Sequence, residues 1–539
     1  MISVKNIFIF ESYISPIINQ NPMKTKLQLA FVSMVLAATT SFAQQPGPMV
    51  QEIVTEATEN SQLKKLGHEL LDVIGPRLVG SPQMEQAHDW AVKTYADWGI
   101  AAENQQWGTW KGWERGITHI DLVAPRLRTL EGRQLAWSPS TSKKGVTAEA
   151  IILPEAKDSA DFQSKLNQVK GKFVLLSFNE PTGRPDYNWE EWATEQSFEK
   201  MKKERSEAEN DWRARIKATG YSSRELPEIL EKAGAEGIIT LNWSSGFGVN
   251  KVFSAYTRDI PTVDLSLEDY GLVFRMAENG DKPELHIVAT SKDLGEVPTF
   301  NTIASIEGSE KPEEYIVLSA HFDSWDGGTG ATDNGTGTLV MMEAMRILKK
   351  VYPNPKRTII AGHWGSEEQG LNGSRAFVKD HPEIVENIQA VFNQDNGTGR
   401  VVNLSGNGLV DAYDYLGDWL SAVPDSISNQ IETNFPGMPG RGGSDYASFL
   451  AAGAPAFNLS SLSWSYWNYT WHTNRDTYDK IVWDDVQSNA ILAAILAYKA
   501  SEDADKTSRK QRVLPINQRT GEQSTWPEPR DATRRGGLD

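Results

Sequence analysis

The sequence predicts an α/β fold, a mixed and mostly parallel sheet with helices on both faces, with a smaller β-rich domain inserted into it. Apolar strand-like runs alternate with amphipathic helical segments from about residue 299 onward, which is typical of a mainly parallel sheet. Short β-rich runs without that alternation fill residues 120–292 and indicate the inserted domain. A chain of 539 residues, 39% apolar and 23% charged, is long enough to bury a core of this size.

Residues 50–118 are predicted to be mainly helical. Apolar side chains recur at helical spacing over residues 54–74, and Ile74-Gly75-Pro76 ends that run. A second helix is predicted over residues 83–98 and ends at Gly99. These helices are expected to cover the sheet that follows later in the chain.

The inserted region combines short strands with one highly charged stretch. Residues 190–232 are rich in Glu, Lys and Arg with few helix breakers, which predicts a helical excursion on the surface. Four strands flank this excursion, at residues 148–153, 172–178, 237–241 and 260–265.

The C-terminal half carries the strand and helix alternation, followed by a polar end. Strands are predicted at residues 315–320, 357–364, 388–393 and 455–459, with helices at residues 336–350 and 485–501. After residue 502 the chain has no apolar period, which predicts a mobile tail. The predicted organisation is a signal peptide with an upstream extension at 1–43, the two parts of the main domain at 44–119 and 293–502, the insert at 120–292 and the tail at 503–539.

Composition excludes several functions. The net charge of −17 disfavours binding to nucleic acid or to an anionic membrane. Cysteine is absent, so disulfides, thiolate nucleophiles and zinc–thiolate sites are excluded together. Any metal ion must therefore be held by Asp, Glu and the eight histidines.

A targeting segment is predicted near the N-terminus. Basic residues at 23–26 precede an apolar run at 27–38, and Ser41-Phe42-Ala43 resembles a cleavage site. We interpret this as a secretory signal peptide, with a mature chain that begins near Gln44 and is exported to the periplasm or secreted. The alternative is a membrane anchor, but the run is short for a span of about 20 residues.

Acidic residues and histidines recur just past the carboxyl ends of the predicted strands, where open α/β sheets bind ligands. Singly, each has an ordinary explanation, such as a packed histidine, a turn or a helix cap. Their repetition at equivalent strand ends predicts one site, formed by His321, Asp323, Asp333, Glu367, Glu368, Asp395 and His472.

These residue types suit a pair of divalent cations about 3.5–4 Å apart, which need a bridging carboxylate and further nitrogen or oxygen ligands. His321 and His472 can each supply an imidazole, and Asp333 can bridge the two ions. Glu368 and Asp395 can each serve one ion.

Two neighbouring residues can support such a centre without binding metal. Glu367 is adjacent to a ligand and can act as a general base on a water molecule. Asp323 lies two residues from His321 and can orient its imidazole.

The site residues lie in five ordered motifs that resemble those of the co-catalytic zinc exopeptidases, a family of aminopeptidases and carboxypeptidase Q-like enzymes. The Ser324-Trp325-Asp326 continuation is most similar to the carboxypeptidase Q type. The motifs are His321-Phe322-Asp323-Ser324, Ala331-Thr332-Asp333-Asn334-Gly335, Ser366-Glu367-Glu368-Gln369-Gly370, Gln394-Asp395-Asn396 and His472-Thr473-Asn474-Arg475-Asp476-Thr477.

The resemblance extends to other parts of the chain and implies roles for the site residues. Residues 60–118 resemble the family's N-terminal part, and the insert resembles a protease-associated domain through Gly171-Lys172-Phe173-Val174-Leu175. Neither the charged stretch nor the tail is covered. The implied set is two Zn²⁺ ions held by His321, Asp333 (bridging), Glu368, Asp395 and His472, with Glu367 as the catalytic base and Asp323 as the orienting group.

One motif departs from the family pattern. Ser444-Asp445-Tyr446 stands where relatives commonly have Ser-Asp-His, so the contacts with substrate are open. Tyr446 can hydrogen-bond a developing oxyanion or simply pack. Arg441 can bind a free α-carboxylate of the substrate or remain solvated.

The resulting prediction is an exported zinc-dependent exopeptidase that hydrolyses short peptides by a metal-activated water, as an aminopeptidase or a dipeptidase. No nucleic-acid partner and no membrane association after signal removal are expected. The aromatic loop at residues 464–469 either lines a pocket for a short peptide or covers the end of the sheet. The alternatives are a glutaminyl cyclase with one zinc ion, a catalytically inactive binding protein on the same fold, and a calcium-binding structural protein, which two histidine ligands disfavour.

Overall fold

The computed structural model describes residues 47–395 and 397–537. The predicted signal peptide, its cleavage site near Gln44 and motif residue Asn396 lie outside the described residues. These described residues belong to one compact unit. None of the helices in the described part combines the length and apolarity that crossing a membrane requires.

Seventeen strands are present in the described residues. They are β1 Ala101–Ala124, β2 Arg128–Leu130, β3 Gly132–Gln134, β4 Val146–Ile152, β5 Phe173–Leu175, β6 Gly237–Thr240, β7 Trp243–Gly246, β8 Val249–Asn250, β9 Thr262–Leu265, β10 Glu284–Ile306, β11 Lys311–His321, β12 Arg357–Trp364, β13 Ile388–Asn393, β14 Val401–Ser405, β15 Glu432–Asn434, β16 Ala456–Ser461 and β17 Arg535–Gly536.

The α-helices of the same residues lie mainly between these strands. They are α1 Pro48–Glu59, α2 Leu63–Gly67, α3 Pro82–Asp97, α4 Ser159–Lys165, α5 Asp186–Trp192, α6 Glu195–Thr219, α7 Leu226–Lys232, α8 Leu267–Glu278, α9 Thr336–Val351, α10 Asn372–Asp380, α11 Pro382–Glu386, α12 Ala412–Ser421, α13 Asp425–Ser428, α14 Tyr446–Ala451, α15 Tyr466–Tyr469 and α16 Trp483–Glu502. Short π or 3₁₀ turns occur at His68–Ile74, Leu166–Val169, Ala331–Gly335 and Tyr478–Lys480.

One large sheet runs through the molecule in the order β15-β14-β16-β13-β11-β12-β10-β4-β5-β6-β9-β3, and β1 pairs with β10. In the main domain β12, β11, β13 and β16 are parallel neighbours. In the insert β4, β5, β6 and β9 are parallel neighbours. The antiparallel pairs of β10 with β12 and β4 join the two halves. The predicted mixed and mostly parallel sheet is confirmed.

Helices cover both faces of the main-domain sheet, because successive strand residues point to opposite sides. Ile316 and Leu318 of β11 belong to the core cluster under α1, α9 and α16. Val317, between them, belongs to the cluster on the other face, under α10 and α14. The continuous apolar runs of these strands therefore reflect burial on both faces.

Strands β1 and β10 are long and continuous through both halves of the sheet. They pair antiparallel from Ala101↔Ser305 to Ala124↔Glu284. The predicted domain boundaries at 119/120 and 292/293 therefore fall inside strands.

Residues 101–118, predicted as helical, belong to β1, so that part of the helical prediction is wrong. The strand is polar and weakly patterned. It is specified by pairing with β10 rather than by its own propensity.

The charged stretch of the insert is helical, as predicted. Helix α6 runs for 25 residues, and Met201 and Thr219 are the buried residues that it contributes. Lys200–Glu204 and Arg213–Glu209 are pairs at i,i+4 spacing along its exposed face.

The C-terminal segment packs on the main domain, which differs from the mobile tail that the sequence predicts. The backbone N–H of Thr507 donates to Gln389 Oε1 at 2.9 Å, and Arg509 donates to three main-chain carbonyls of residues 385–388. Strand β17 pairs with β1. The segment is ordered largely by polar contacts to backbone groups, and such contacts leave no apolar pattern in the sequence.

Candidate metal centre and active site

The site lies at one edge of the main-domain sheet, because the parallel strands β11, β12, β13 and β16 all end there. His321 is the last residue of β11, and Glu367-Glu368 follow β12 after two residues. Asp395 comes two residues after β13. Asp333 lies in the loop between β11 and α9, and His472 follows β16 and the aromatic loop.

The structure brings all five predicted ligands together in two groups that share Asp333. In the first group, His321 Nε2 lies 3.1 Å from Asp395 Oδ1 and 3.5 Å from Asp333 Oδ1. In the second, His472 Nε2 lies 2.7 Å from Glu368 Oε2 and 3.6 Å from Asp333 Oδ2. The two carboxylate oxygens of Asp333 therefore face different groups, which is the arrangement that a bridging ligand requires.

The donor set fits zinc. Each group offers one imidazole nitrogen together with carboxylate oxygens, a combination that zinc accepts. Glu368 Oε1 is buried and has no hydrogen-bond partner among the described residues. Burial lowers the pKa of His472 to about 4, so its imidazole is neutral at pH 7, as a metal ligand must be.

Buried negative charge is the dominant electrostatic feature of the site. Burial raises the pKa of Glu367 and of Glu368 well above the usual range, although the charge of His321 opposes this. Burial alone would lower the pKa of His321, but Asp395, Glu367 and hydrogen bonding to Asp333 raise it well above its ordinary value. Cations between these groups would compensate carboxylates that burial otherwise destabilises.

Asp323 supports the site through two different groups. Its backbone carbonyl accepts a hydrogen bond from His321 Nδ1 at 3.0 Å. Its carboxylate lies 3.8 Å from that nitrogen and instead accepts the backbone N–H groups of Glu367 (2.9 Å) and Glu368 (3.2 Å). The side chain thus holds the turn that carries the predicted base, and the main chain holds the imidazole.

Two further buried residues position the loops of the site and carry no sequence signal as ligands. Asp476 accepts the backbone N–H groups of Thr332 (2.8 Å) and Asp333 (3.0 Å). Arg77, fully buried, donates to the carbonyls of Phe322 at 2.7 Å and Gly330 at 2.8 Å. Asp476 lies inside the last motif quoted above, but only the fold shows that Asp476 and Arg77 fix the backbone around Asp333.

Aromatic rings surround His472, which adopts φ +59° in the left-handed region. The ring of Trp471 stacks on the imidazole at 3.8 Å, and Phe253 of the insert meets its edge at 5.5 Å. Lys251, also from the insert, places Nζ 3.8 Å from the centre of the Trp471 ring. The insert therefore contributes directly to the wall of the site.

The aromatic loop divides between the site and the solvent. Tyr466 is buried and hydrogen-bonds to Asp333, a contact that the sequence analysis did not predict. Trp464 and Trp467 are 55% and 56% exposed. The two tryptophans are therefore available to contact a ligand.

The two predicted substrate contacts have different surroundings. Tyr446, half-buried, places its hydroxyl 3.4 Å from the Gly442 carbonyl, and burial raises its pKa, with a contribution from Asp395. Arg441 is exposed and donates to the carbonyl of Thr525 in the C-terminal segment. Tyr446 thus faces the acidic site, whereas Arg441 is occupied by a main-chain contact.

Comparison with known proteins supports the resemblance to the co-catalytic zinc exopeptidases that the motifs predict. Residues 301–497 match Peptidase family M28. The matched segment contains every predicted metal ligand and Glu367.

The similarity extends beyond that segment. Carboxypeptidase Q of Rattus norvegicus is 26% identical over 450 residues, covering 82% of this chain and 86% of the relative. The Homo sapiens protein is 25% identical over 435 residues, covering 80% and 84%.

Solved structures share the fold. A Peptidase M28 precursor from Shewanella amazonensis superposes with a TM-score of 0.62 at 22% identity, covering 87% of this chain and 98% of the other. A zinc aminopeptidase from Bacillus subtilis gives a TM-score of 0.53 at 19% identity, covering 84% and 97%. These structures show that the chain shares their fold, and its residues 301–497 are similar to a Peptidase M28 domain.

Proposed function

We propose that this protein is an exported exopeptidase that uses two zinc ions to hydrolyse short peptides. The observation that supports this most strongly is the pair of ligand groups that share Asp333, beside the predicted base. The cleavage-site pattern at residues 41–43 supports export. The similarity to carboxypeptidase Q supports a short peptide as substrate.

In this proposal His321, Asp333 and Asp395 would hold one ion, and Asp333, Glu368 and His472 would hold the other. Zinc, when bound, supplies a Lewis acid that activates water and polarises the scissile carbonyl. Asp333 would be the ligand that the two ions share, and Asp476 holds its backbone in place by accepting its N–H.

Glu367 moves the proton. Its carboxylate accepts a proton from the attacking water and transfers it to the leaving amine. The hydrogen bond from its backbone N–H to Asp323 fixes the turn that presents it. Burial raises its pKa, and a raised pKa makes the carboxylate a stronger acceptor for the proton of the attacking water. Tyr446 is proposed to donate a hydrogen bond to the developing oxyanion.

The insert is proposed to be a protease-associated domain that closes one side of the cleft. Its Phe253 and Lys251 contact the aromatic rings next to His472. The exposed Trp464 and Trp467 are proposed to line the pocket for a short peptide. These walls favour ligands of a few residues over a folded protein.

A mass-spectrometric digest of short peptides tests the proposal. Free, N-blocked and C-blocked peptides are incubated with the purified protein, with added zinc or with a chelator. Loss of single N-terminal residues from free and C-blocked peptides, abolished by chelator, would establish an aminopeptidase. Cleavage confined to free dipeptides would establish a dipeptidase. No cleavage with added zinc would overturn the proposal and favour a binding protein.

A further inference from the structure

His472 lacks the hydrogen bond that usually orients a metal-binding histidine. The second ring nitrogen of such a histidine ordinarily donates to a carboxylate or a carbonyl, but His472 Nδ1 is buried and has no hydrogen-bond partner in the described part of the chain. The backbone of His472 adopts φ +59°, a conformation that a non-glycine residue keeps only when its surroundings enforce it. Other contacts must therefore fix this imidazole.

A short segment of the insert, residues 250–252, holds the backbone of the loop that carries His472. The N–H of Val252 donates to the carbonyl of His472 at 2.8 Å, and the N–H of Asn474 donates to the carbonyl of Asn250 at 2.9 Å. An antiparallel β-bridge lies between these two bonds. The insert and the loop therefore pair as two short antiparallel strands.

Asn250 connects this pairing to the sheet of the insert. Its side-chain Nδ2 donates to Asp264 Oδ2 at 2.5 Å and to the carbonyl of Leu265 at 2.6 Å, both in β9. Its backbone N–H donates to Asn474 Oδ1 at 2.9 Å. Asn250 and Asp264 are 4% and 1% exposed, so water competes poorly for these bonds. Asn250 thus links the sheet of the insert to the loop that carries His472.

The ring of His472 is also in contact with the insert. Phe253, which follows segment 250–252 directly, meets the edge of the imidazole at 5.5 Å. Trp471 stacks on one face of the same ring at 3.8 Å. A shift of segment 250–252 would therefore move a contact of the ring together with the contacts of the backbone.

The other ligand group is held by the main domain. His321 Nδ1 contacts the carbonyl of Asp323 at 3.0 Å, and the hydroxyl of Thr338 in α9 donates to the carbonyl of His321 at 2.9 Å. His321 Nε2 lies 3.1 Å from Asp395, which follows β13. Docking of the insert should therefore affect the two ligand groups unequally.

We propose that Asn250 is a positioning residue for His472, so that the second zinc position depends on docking of the insert. The inference rests on the proposed two-zinc function and specifies what holds one half of the centre. It gives the insert a role beyond that of a wall of the cleft. The first position, with His321 and Asp395, should bind zinc whether or not segment 250–252 is in place.

Matched asparagine variants test this role through zinc affinity. Zinc bound per chain is measured by mass spectrometry of the metal during competition with increasing chelator. We expect Asn250→Ala to weaken one of two zinc sites about 10- to 100-fold, the range for a lost outer contact of a metal ligand, and to leave the other unchanged. Asn242→Ala is the control and should keep both affinities, because its side chain donates to the same carboxylate, Asp264, at 2.8 Å within the insert.

Two further variants identify the affected position. His472→Ala removes a ligand of the second position, so adding Asn250→Ala to it should not weaken the remaining zinc any further. Asn474→Ala removes the side-chain acceptor of the Asn250 N–H and should weaken the same site as Asn250→Ala. It also provides the test if Asn250→Ala does not fold.

The outcomes separate the positioning role from the function on which it rests. Unchanged affinity at both sites in Asn250→Ala or Asn474→Ala would overturn the role, as would further weakening in the double variant. Equal weakening in Asn250→Ala and Asn242→Ala would also overturn it, because the loss would then come from the bonds to Asp264 and the stability of the insert. If the wild-type protein binds fewer than two zinc ions, the two-zinc function itself fails, and that result does not depend on Asn250.

Discussion

A fall in pH should destabilise the protein through two buried histidines behind the active site. His88 Nδ1 lies 2.7 Å from the Thr302 hydroxyl, and His363 Nε2 lies 2.7 Å from the Tyr95 hydroxyl. The other ring nitrogen of each has no hydrogen-bond partner among the described residues. Burial lowers the pKa of both to about 3, and for His88 the nearby His363 adds to the effect.

The sign and size of the effect follow from proton linkage. A folded-state pKa below the unfolded value of 6.5 means that the unfolded chain binds protons first as the pH falls. The stability that these two neutral histidines contribute is therefore fully present above pH 6.5, and it is lost as the pH falls from 6.5 toward 3. At pH 5, which is about 1.5 units below the unfolded pKa, each histidine lowers the free energy of unfolding by about 2 kcal/mol. The two together lower it by about 4 kcal/mol.

Two measurements check this prediction. Hydrogen–deuterium exchange at the histidine C2 position, read by mass spectrometry, gives each pKa in the folded protein, with exposed His119 as the internal reference. Urea unfolding at pH 7 and pH 5 is compared between wild type and His363→Gln, because the variant should lose about 2 kcal/mol less over this interval. Midpoints near 6.5 for His88 and His363, or the same pH dependence in both proteins, would refute the reasoning.

Three further predictions concern the metal centre. Glu367→Gln should keep its zinc, measured by mass spectrometry of the metal, while turnover falls about 100- to 10,000-fold, since a general base is removed; retained activity would exclude Glu367 as the base. His472→Ala should lower zinc occupancy in the same measurement, and full occupancy would count against His472 as a ligand. Asp476→Ala should weaken zinc binding about 10- to 100-fold in a chelator competition, since the loop that carries Asp333 loses its anchor. Asp479→Ala, at an exposed carboxylate nearby, is the control, and equal affinities in these two variants would contradict the anchoring role.

The strands of the main-domain sheet can be predicted from the sequence because they are buried on both faces and therefore form continuous apolar runs. The strands Arg357–Trp364 and Ile388–Asn393 begin and end where the apolar runs predict. The candidate ligands can be predicted for a related reason, since parallel strands bring their carboxyl ends to one edge and each candidate lies at or beyond such an end. The proximity of His321, Glu368 and Asp395, which lie within a few residues of strand ends, thus follows from the sheet topology.

The parts that sequence reasoning missed depend on polar contacts between distant segments. Strand β1 is polar, and its extended form comes from pairing with β10. The C-terminal segment is ordered by contacts such as those of Arg509 with main-chain carbonyls. Arg77 and Asp476 act on backbone groups, and a residue that binds backbone has no preferred spacing in the sequence. Only the folded chain shows which carbonyl or N–H lies within reach.

The continuous pair β1 and β10 has a mechanical consequence. Between residues 108–115 and 291–299 the two strands pair with each other as a ribbon that belongs to both halves of the sheet. Cutting the chain at the edges of the insert would sever both strands, so neither half can be excised as an intact piece. A force applied to the insert is transmitted through the hydrogen-bonded strands β1 and β10 to β12. Strand β12 is followed by the turn that carries Glu367 and Glu368. Relative motion of the two halves therefore requires the paired strands to twist together, because no flexible linker joins the halves at this point.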